Sequence, residues 1–225
     1  MTKMVLNVCL AATLAACSVT QQAPLKTTAA GSGLVDYAML SPGASGQAQL
    51  RYINPAAQWT TYHKILIEPV TYWAAHGDTR ISPADQHTLC NFFQQSLQQQ
   101  FSRYFSTVSK DGRGVMVLHV ALTDAEAATP VLRSVSMLVP QARVLSTLKY
   151  LATGSYPFIG SAEVVAKLSD SETGMVLGEW VDRRIGGGSL QTAAQWKWGD
   201  AENAITQWST TAASRVAAWT SGQAP

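Results

Sequence analysis

SAEVVAKLSDSETGMVLGEWVDRR, residues 161–184, is the stretch whose reading decides the fold. Over Ser161–Leu168 the residue types alternate, with Ala162, Val164, Ala166 and Leu168 on one side and Ser161, Glu163 and Lys167 on the other. A period of two is that of a strand with one buried and one wet face. Asp170–Gly174 (DSETG) has turn chemistry, and Met175–Arg184 returns as a second strand, so the stretch predicts an antiparallel hairpin. At its end Asp182 and Arg184 fall on one face and Arg183 on the other, the pattern of solvated edge charges.

Upstream, Val115–Leu122 (VMVLHVAL) is an almost unbroken apolar run, as expected of a central strand covered on both faces. His119 within it reads as a hydrogen-bonded core histidine. His63–Val70 (HKILIEPV) predicts the first strand, ended by Pro69. Ser82 caps a helix with Pro83 at its first position, and apolar residues recur at helical spacing from Leu89 to Phe105, with the Gln94–Gln100 side solvated. Pro140 opens a second helix running to Thr153, with Gly154 as its stop, while Val131–Val139 has no clear assignment. Asp200 caps a last helix whose stripe is Ala201, Ile205, Trp208, Ala212, Val216 and Trp219. Gly33–Leu40 and Arg51–Trp59 read as irregular segments that dock on the domain. The order strand, helix, strand, helix, hairpin, helix predicts an α+β two-layer sandwich, a mainly antiparallel or mixed sheet with helices on one face.

The N-terminus supplies the address. Lys3 precedes an apolar run from Met4 to Ala16, too short for the roughly 20 residues of a membrane-spanning helix. It ends in Leu14, Ala15, Ala16 and Cys17, the LAAC signature of a bacterial lipoprotein signal peptide. Residues 1–16 are read as the cleaved signal and Cys17 as the lipidated residue, carrying thioether and N-linked acyl chains such as palmitate. Aspartate after the cysteine typically retains lipoproteins at the inner membrane, whereas Ser18 predicts the outer membrane with the domain on its periplasmic face. Ser18–Gly33 (SVTQQAPLKTTAAGSG) reads as a flexible tether, so residues 17–33 form anchor and tether and 34–222 one globular periplasmic domain. Cleavage leaves about 200 residues, enough for one sizeable core.

Composition narrows the chemistry. Lys+Arg 16 against Asp+Glu 14, with charged residues only 13% of the chain, gives no basic face for nucleic acid. Of three cysteines, Cys9 leaves with the signal and Cys17 is acylated, so Cys90 has no disulfide partner and reads as a buried, inert thiol. His63, His76, His87 and His119 lack metal-ligand spacing, so neither metal nor cofactor is expected. Gly43–Gly46 (GASG) lacks the strand and helix of a nucleophile elbow, and Gly112 and Gly114 precede a strand instead of a helix. Trp196 and Trp198, bracketing Lys197, are the candidate partner surface.

With these residues in view, the chain resembles an uncharacterised family of Gram-negative lipoproteins, domain of unknown function 3313. The likeness rests on the lipobox, GLVDY at 33–37, NP at 54–55, YHKILIEPV at 62–70, DSETG at 170–174, WGDA at 198–201 and the tryptophan-ended last helix, covering Gly33–Trp219. The resemblance implies no activity and no site residue except lipidated Cys17. The resulting expectation is an outer-membrane lipoprotein, not an enzyme, that binds an envelope protein or cell-wall partner. Two alternatives differ in class. A carrier or sensor of a lipid or small apolar ligand would need an apolar cavity of at least about 300 Å³, and a periplasmic hydrolase would need a cleft around Asp85 and His87.

Overall fold

The hairpin forms as its alternation predicts, and the computed structural model shows it at the heart of a mixed sheet. Described are residues 20–26, 32–73, 81–127, 160–186 and 197–225. The signal, Cys17, Ser18, His76, the segment Val131–Val139, the helix expected from Pro140 to Thr153, Gly187, Gly188 and Trp196 lie outside the described residues. In chain order the elements are β1 (Thr20–Gln22), β2 (Ser41–Pro42), β3 (Leu50–Ile53), β4 (Lys64–Ile67), β5 (Thr71–Tyr72), α1 (Pro83–Phe101), β6 (Ser106–Thr107), β7 (Val115–Glu126), β8 (Ser161–Asp170), β9 (Val176–Gly186) and α2 (Gly199–Thr220).

β8 and β9 pair antiparallel from Ser161↔Ile185 to Ser169↔Val176. Asp170 closes the turn: its Oδ1 accepts from the amides of Glu172 (3.1 Å) and Thr173 (2.8 Å), while Gly174 takes the left-handed conformation at φ +70°. β7 pairs antiparallel with β8, and β4 lies parallel to both β7 and β6. Among the described residues the strand order is β2-β3-β9-β8-β7-β4-β6, with β1 also on β9 and β5 also on β7. The β4-to-β7 crossover carries α1, as a parallel pair requires. The fold is α+β with a nine-strand mixed sheet and two described helices.

Both helices lie on one face. Ser82 caps α1 by accepting the Asp85 amide at 3.2 Å, with Pro83 at the first helical position where a missing N–H costs nothing. Leu89, Phe93, Leu97 and Phe101 from α1 meet Ile205, Val216 and Trp219 from α2 and the even-numbered side chains Met116, Leu118, Val120 and Leu122 of β7. Tryptophans knit the layer: Trp59 lies 5.0 Å and Trp180 6.4 Å from Trp219, and Trp208 lies 6.2 Å from Phe93. Each such aromatic buries 150–250 Å² or so, the largest apolar contribution per residue available. Cys90 packs half-buried against this core, and burial pushes its thiol up to about 11. At pH 8 its thiolate is therefore on the order of a hundredfold scarcer than that of an ordinary cysteine near 8.5. Iodoacetamide labelling followed by mass spectrometry should be correspondingly slow in the folded chain and fast in urea.

The other face departs from expectation. It is not wet: Val35, Ala121, Val165 and Val181 form a second, smaller cluster roofed by Leu25, Leu34, Tyr37, Leu40 and Leu50. Glu163 is wholly buried and Ser161 nearly so. The chain before the domain supplies part of this roof, so Thr20–Gln22 is not free tether. It pairs antiparallel with β9 in the register Thr20↔Gly186 to Gln22↔Arg184. The free edge of β9 offers unpaired backbone groups, and polar residues with no sequence periodicity satisfy them as well as apolar ones. Two smaller differences follow the same logic. Arg51–Ile53, the start of the segment expected to be irregular, belongs with Leu50 to strand β3, so β4 is not the first strand. Gln94, expected on the solvated side of α1, turns its Oε1 to the Val70 amide at 2.9 Å, replacing a partner the strand loses at Pro69.

Candidate functional site

Three places carry the polar chemistry of the described residues. The first corrects the expectation for Asp182, Arg183 and Arg184, which are all buried. A register shift between Leu122 and Asp124 turns Asp124 and Glu126 of β7 to the face of Glu163 and Arg183, under the N-terminal segment. There Arg183 donates to the Pro24 carbonyl (3.1 Å) and the Ser161 hydroxyl (3.1 Å) and lies 3.4 Å from Glu126. Lys26 Nζ bridges Asp124 (2.8 Å) and Glu126 (2.6 Å), while its amide donates to Glu163 at 2.7 Å. Burial raises the Glu163 carboxyl, and the neighbouring Asp124 charge adds to it. Burial also opposes ionisation of Glu126, but Lys26 and Arg183 outweigh it and hold that carboxyl below its ordinary value.

On the helix side of β9, Asp182 is a hub. Its Oδ2 accepts from Arg184 Nε (3.0 Å) and Trp208 Nε1 (2.7 Å), its Oδ1 from Gln22 (2.8 Å) and the Gln49 amide (3.1 Å). Thr20 accepts from Arg184 at 3.3 Å and donates to Gln207 of α2. These bonds fasten β1, β3 and α2 onto β9.

The second place joins the starts of the two helices. Trp198, expected on a partner surface, is 2% exposed. Its indole N–H donates to Asp85 Oδ1 at 2.9 Å, and exposed Lys197 reaches Asp85 Oδ2 at 2.9 Å, so both residues clasp α2 to α1, with Trp198 buried beneath the contact. His87 stays exposed, 3.1 Å from Asn91, with no contact to Asp85. The pair therefore does not assemble the acid–base set that hydrolysis would need. Nor does Asp200 cap α2: the cap position is Trp198, and Asp200 in the first turn accepts the Gly160 amide at 2.8 Å. A Cβ on Gly186 would stand 2.2 Å from the Asp200 carboxylate, which explains glycine there.

The hydrogen bonds from Lys197, Ser82 and Trp198 lower Asp85 to about 2. A depressed carboxyl stabilises above its unfolded value and loses that effect as pH falls through the folded one. Asp85→Asn should thus lower the urea midpoint at pH 7, and the difference from the parent chain should vanish between pH 4 and 2.

The third place is a cavity of about 120 Å³ between α1, α2 and the sheet. Phe93, Leu97, Val164, Trp180, Trp208 and Trp219 make its apolar wall, and Arg51 and Arg215 stand at it from β3 and α2. Arg215 donates to the Gly46 carbonyl at 2.9 Å. Arg51 sits opposite Trp180 in the β3–β9 register and joins none of the ion pairs among the described residues. Burial and the like charge of Arg215 both lower its pKa. The cavity falls well short of the 300 Å³ or so that a lipid carrier was expected to show.

His119 is half-buried on the sheet face away from the helices, opposite Lys167, with its pKa lowered chiefly by burial. It is not the core histidine expected. Among the described residues no group of three or more His, Cys, Asp or Glu could hold a metal ion. Neither the buried ionic network nor the arginine pair was found by sequence reasoning. The available signal was complementary: Thr123, Asp124, Glu126, Ser161, Glu163 and Arg183 are polar residues on adjacent strands.

Fold and sites together describe an α+β domain whose N-terminal segment is stitched onto its sheet and whose helix layer encloses a small apolar cavity. The chain belongs to the family described as protein of unknown function (DUF3313), whose family model matches residues 31–212. No curated protein matches it. Solved structures similar to it include the PelC dodecamer of Paraburkholderia phytofirmans, at 13% identity over 71% of this chain and 94% of that one, TM-score 0.38. A Xanthomonas campestris protein of family DUF330 is 12% identical over 76% and 94%, TM-score 0.41. A Caulobacter crescentus protein named "putative lipoprotein" is 9% identical over 68% and 92%, TM-score 0.34. No described helix is long and apolar enough to cross a membrane.

Proposed function

We propose that this chain is a lipoprotein held by acylated Cys17 at the periplasmic face of the outer membrane, and that its domain is a binding module for an envelope partner and not an enzyme. The observation that carries the binding role is the apolar cavity with Arg51 and Arg215 beside it, a recess without the convergent acid, base and nucleophile that a reaction requires. The LAAC sequence supports the anchor, and Ser18 the outer-membrane address.

The position of β1 sharpens the reading. Thr20 is three residue steps from Cys17, with Ser18 and Val19 between them, a reach of about 10 Å when fully extended. An acylated Cys17 therefore holds the domain against the bilayer, with the sheet end that bears Thr20, Ser161 and Gly186 nearest the lipid. The partner is thus met close to the membrane. Crosslinking in growing cells, followed by purification of the chain and mass spectrometry, should recover one envelope protein or cell-wall fragment from the parent and much less from Arg51→Glu. Recovery of nothing above an untagged control would overturn the proposal.

A further inference from the structure

We infer that the cavity between α1, α2 and the sheet receives one bulky apolar side chain of a partner polypeptide, whose adjacent carboxylate is held by Arg51 and Arg215. This deepens the binding role proposed above and rests on it.

Size comes first. A cavity of about 120 Å³ approaches the roughly 150 Å³ space that accepts benzene in an apolar core, so it matches a phenyl or isobutyl group. It does not house an acyl chain. The wall is of the right kind, since Trp180, Trp208 and Trp219 present three aromatic surfaces and Val164 and Leu97 two aliphatic ones. A bulky side chain seated in such a recess is the usual centre of a protein–protein contact.

Charge comes second. Among the described residues Lys26 pairs with Asp124 and Glu126, Arg183 with Glu126, and Arg184 with Asp182, whereas half-buried Lys167, on the sheet face away from the helices, joins no ion pair. At the cavity, Arg51 and Arg215 join none of these ion pairs, and each stands beside the other's like charge. Two guanidinium groups at an apolar recess repel each other and lose hydration. A carboxylate between them reverses both effects, and a guanidinium fork fits it in two parallel hydrogen bonds. Arg215 is already oriented by the Gly46 carbonyl. Asp182 and Arg184 also line the space, but they are bonded to each other and act as wall. The ligand chemistry that satisfies both features is an apolar side chain next to a carboxylate, as in a C-terminal phenylalanine or leucine, or an acidic residue beside one.

The test uses N-acetyl-L-phenylalanine and its neutral amide as probes, with the mature chain in phosphatidylcholine nanodiscs and tryptophan fluorescence as readout. The acid should give a saturable change, the amide should bind at least tenfold more weakly, and Arg51→Gln should erase that difference. Val164→Phe fills the cavity and should abolish both responses; Ala166→Leu serves the same purpose should the first variant not fold. Equal binding of acid and amide, no saturable response, or binding that survives filling of the cavity would each refute the inference. So would displacement of the probe by dodecanoate at far lower concentration, which would indicate a site for acyl chains. Probe binding needs no envelope partner. Binding without any crosslinked partner would therefore reject the envelope role while keeping the site, and a crosslinked partner without probe binding would do the reverse.

Discussion

Arg183→Ala should cost about 3 kcal/mol in urea unfolding, because it takes from Glu126 one of its two cation partners and leaves the Pro24 carbonyl and the Ser161 hydroxyl without their buried donor. Arg183 is 1% exposed and bonds to the Pro24 carbonyl, Ser161 and Glu126, so its loss also frees the segment that covers the outer sheet face. Against a total stability of about 5–15 kcal/mol this is a large share. The urea midpoint reads it directly. Substitution of the carboxylates should rank by their shifts. Glu126, held below its ordinary value, stabilises above its unfolded pKa, and that contribution disappears as pH falls. Glu163, raised by burial, works in the opposite sense: its contribution is complete at low pH and declines as pH rises through its folded value. At pH 7, Glu126→Gln should therefore be the more damaging of the two. The reverse order would show that Glu163 and not Glu126 is the charge that Arg183 and Lys26 serve.

Cys17→Ser should release the protein from membranes entirely and abolish labelling by radioactive palmitate. Each buried methylene of an acyl chain is worth about 0.8 kcal/mol, and one chain binds only reversibly, so durable attachment depends on several chains at one residue. No described helix is long and apolar enough to cross a bilayer. Fractionation of cells carrying the variant checks the result; unchanged membrane partitioning would remove the anchor. Ser18→Asp supplies the companion measurement, with the protein expected at the inner membrane on a density gradient. The short reach from Cys17 to Thr20 adds a third observable. In the parent chain a fluorophore near Gly186 should be quenched by lipid-borne acceptors within about 10–20 Å, allowing one residue length scale for the dye.

Much of the fold was legible because its signals are local. The alternation of Ala162, Val164, Ala166 and Leu168 identified the inward face of β8, and those four residues do line the helix side. DSETG makes the turn through bonds within four residues, and Ser82 caps α1 through a bond to residue 85. The stripe from Ala201 to Trp219 marked the buried side of α2 correctly. The candidate sites were less legible. Trp198 looked like an exposed aromatic, but the acceptor that draws its indole inward, Asp85, is more than a hundred residues away. The carboxylate of Asp85 likewise looks available beside His87 in the sequence, but Ser82, Lys197 and Trp198 all donate to it in the fold.

By itself the sequence determined the hairpin, the buried strand Val115–Leu122, the Ser82-capped helix, the last helix and the layer the two form. Each depends on periodicity or on partners a few positions apart, information that a linear chain displays. Only the tertiary structure decided which polar faces are covered. Arg183 meets Glu126 across 57 residues and Pro24 across 159, and Lys26 meets Glu163 across 137. Such charges are written like any solvated edge, because burial belongs to what lies on top of a residue and not to the residue. The same holds for Thr20–Gln22, whose pairing uses backbone groups that carry no side-chain signature, and for Arg51 and Arg215, which become a pair only when β3 and α2 bring them to one cavity.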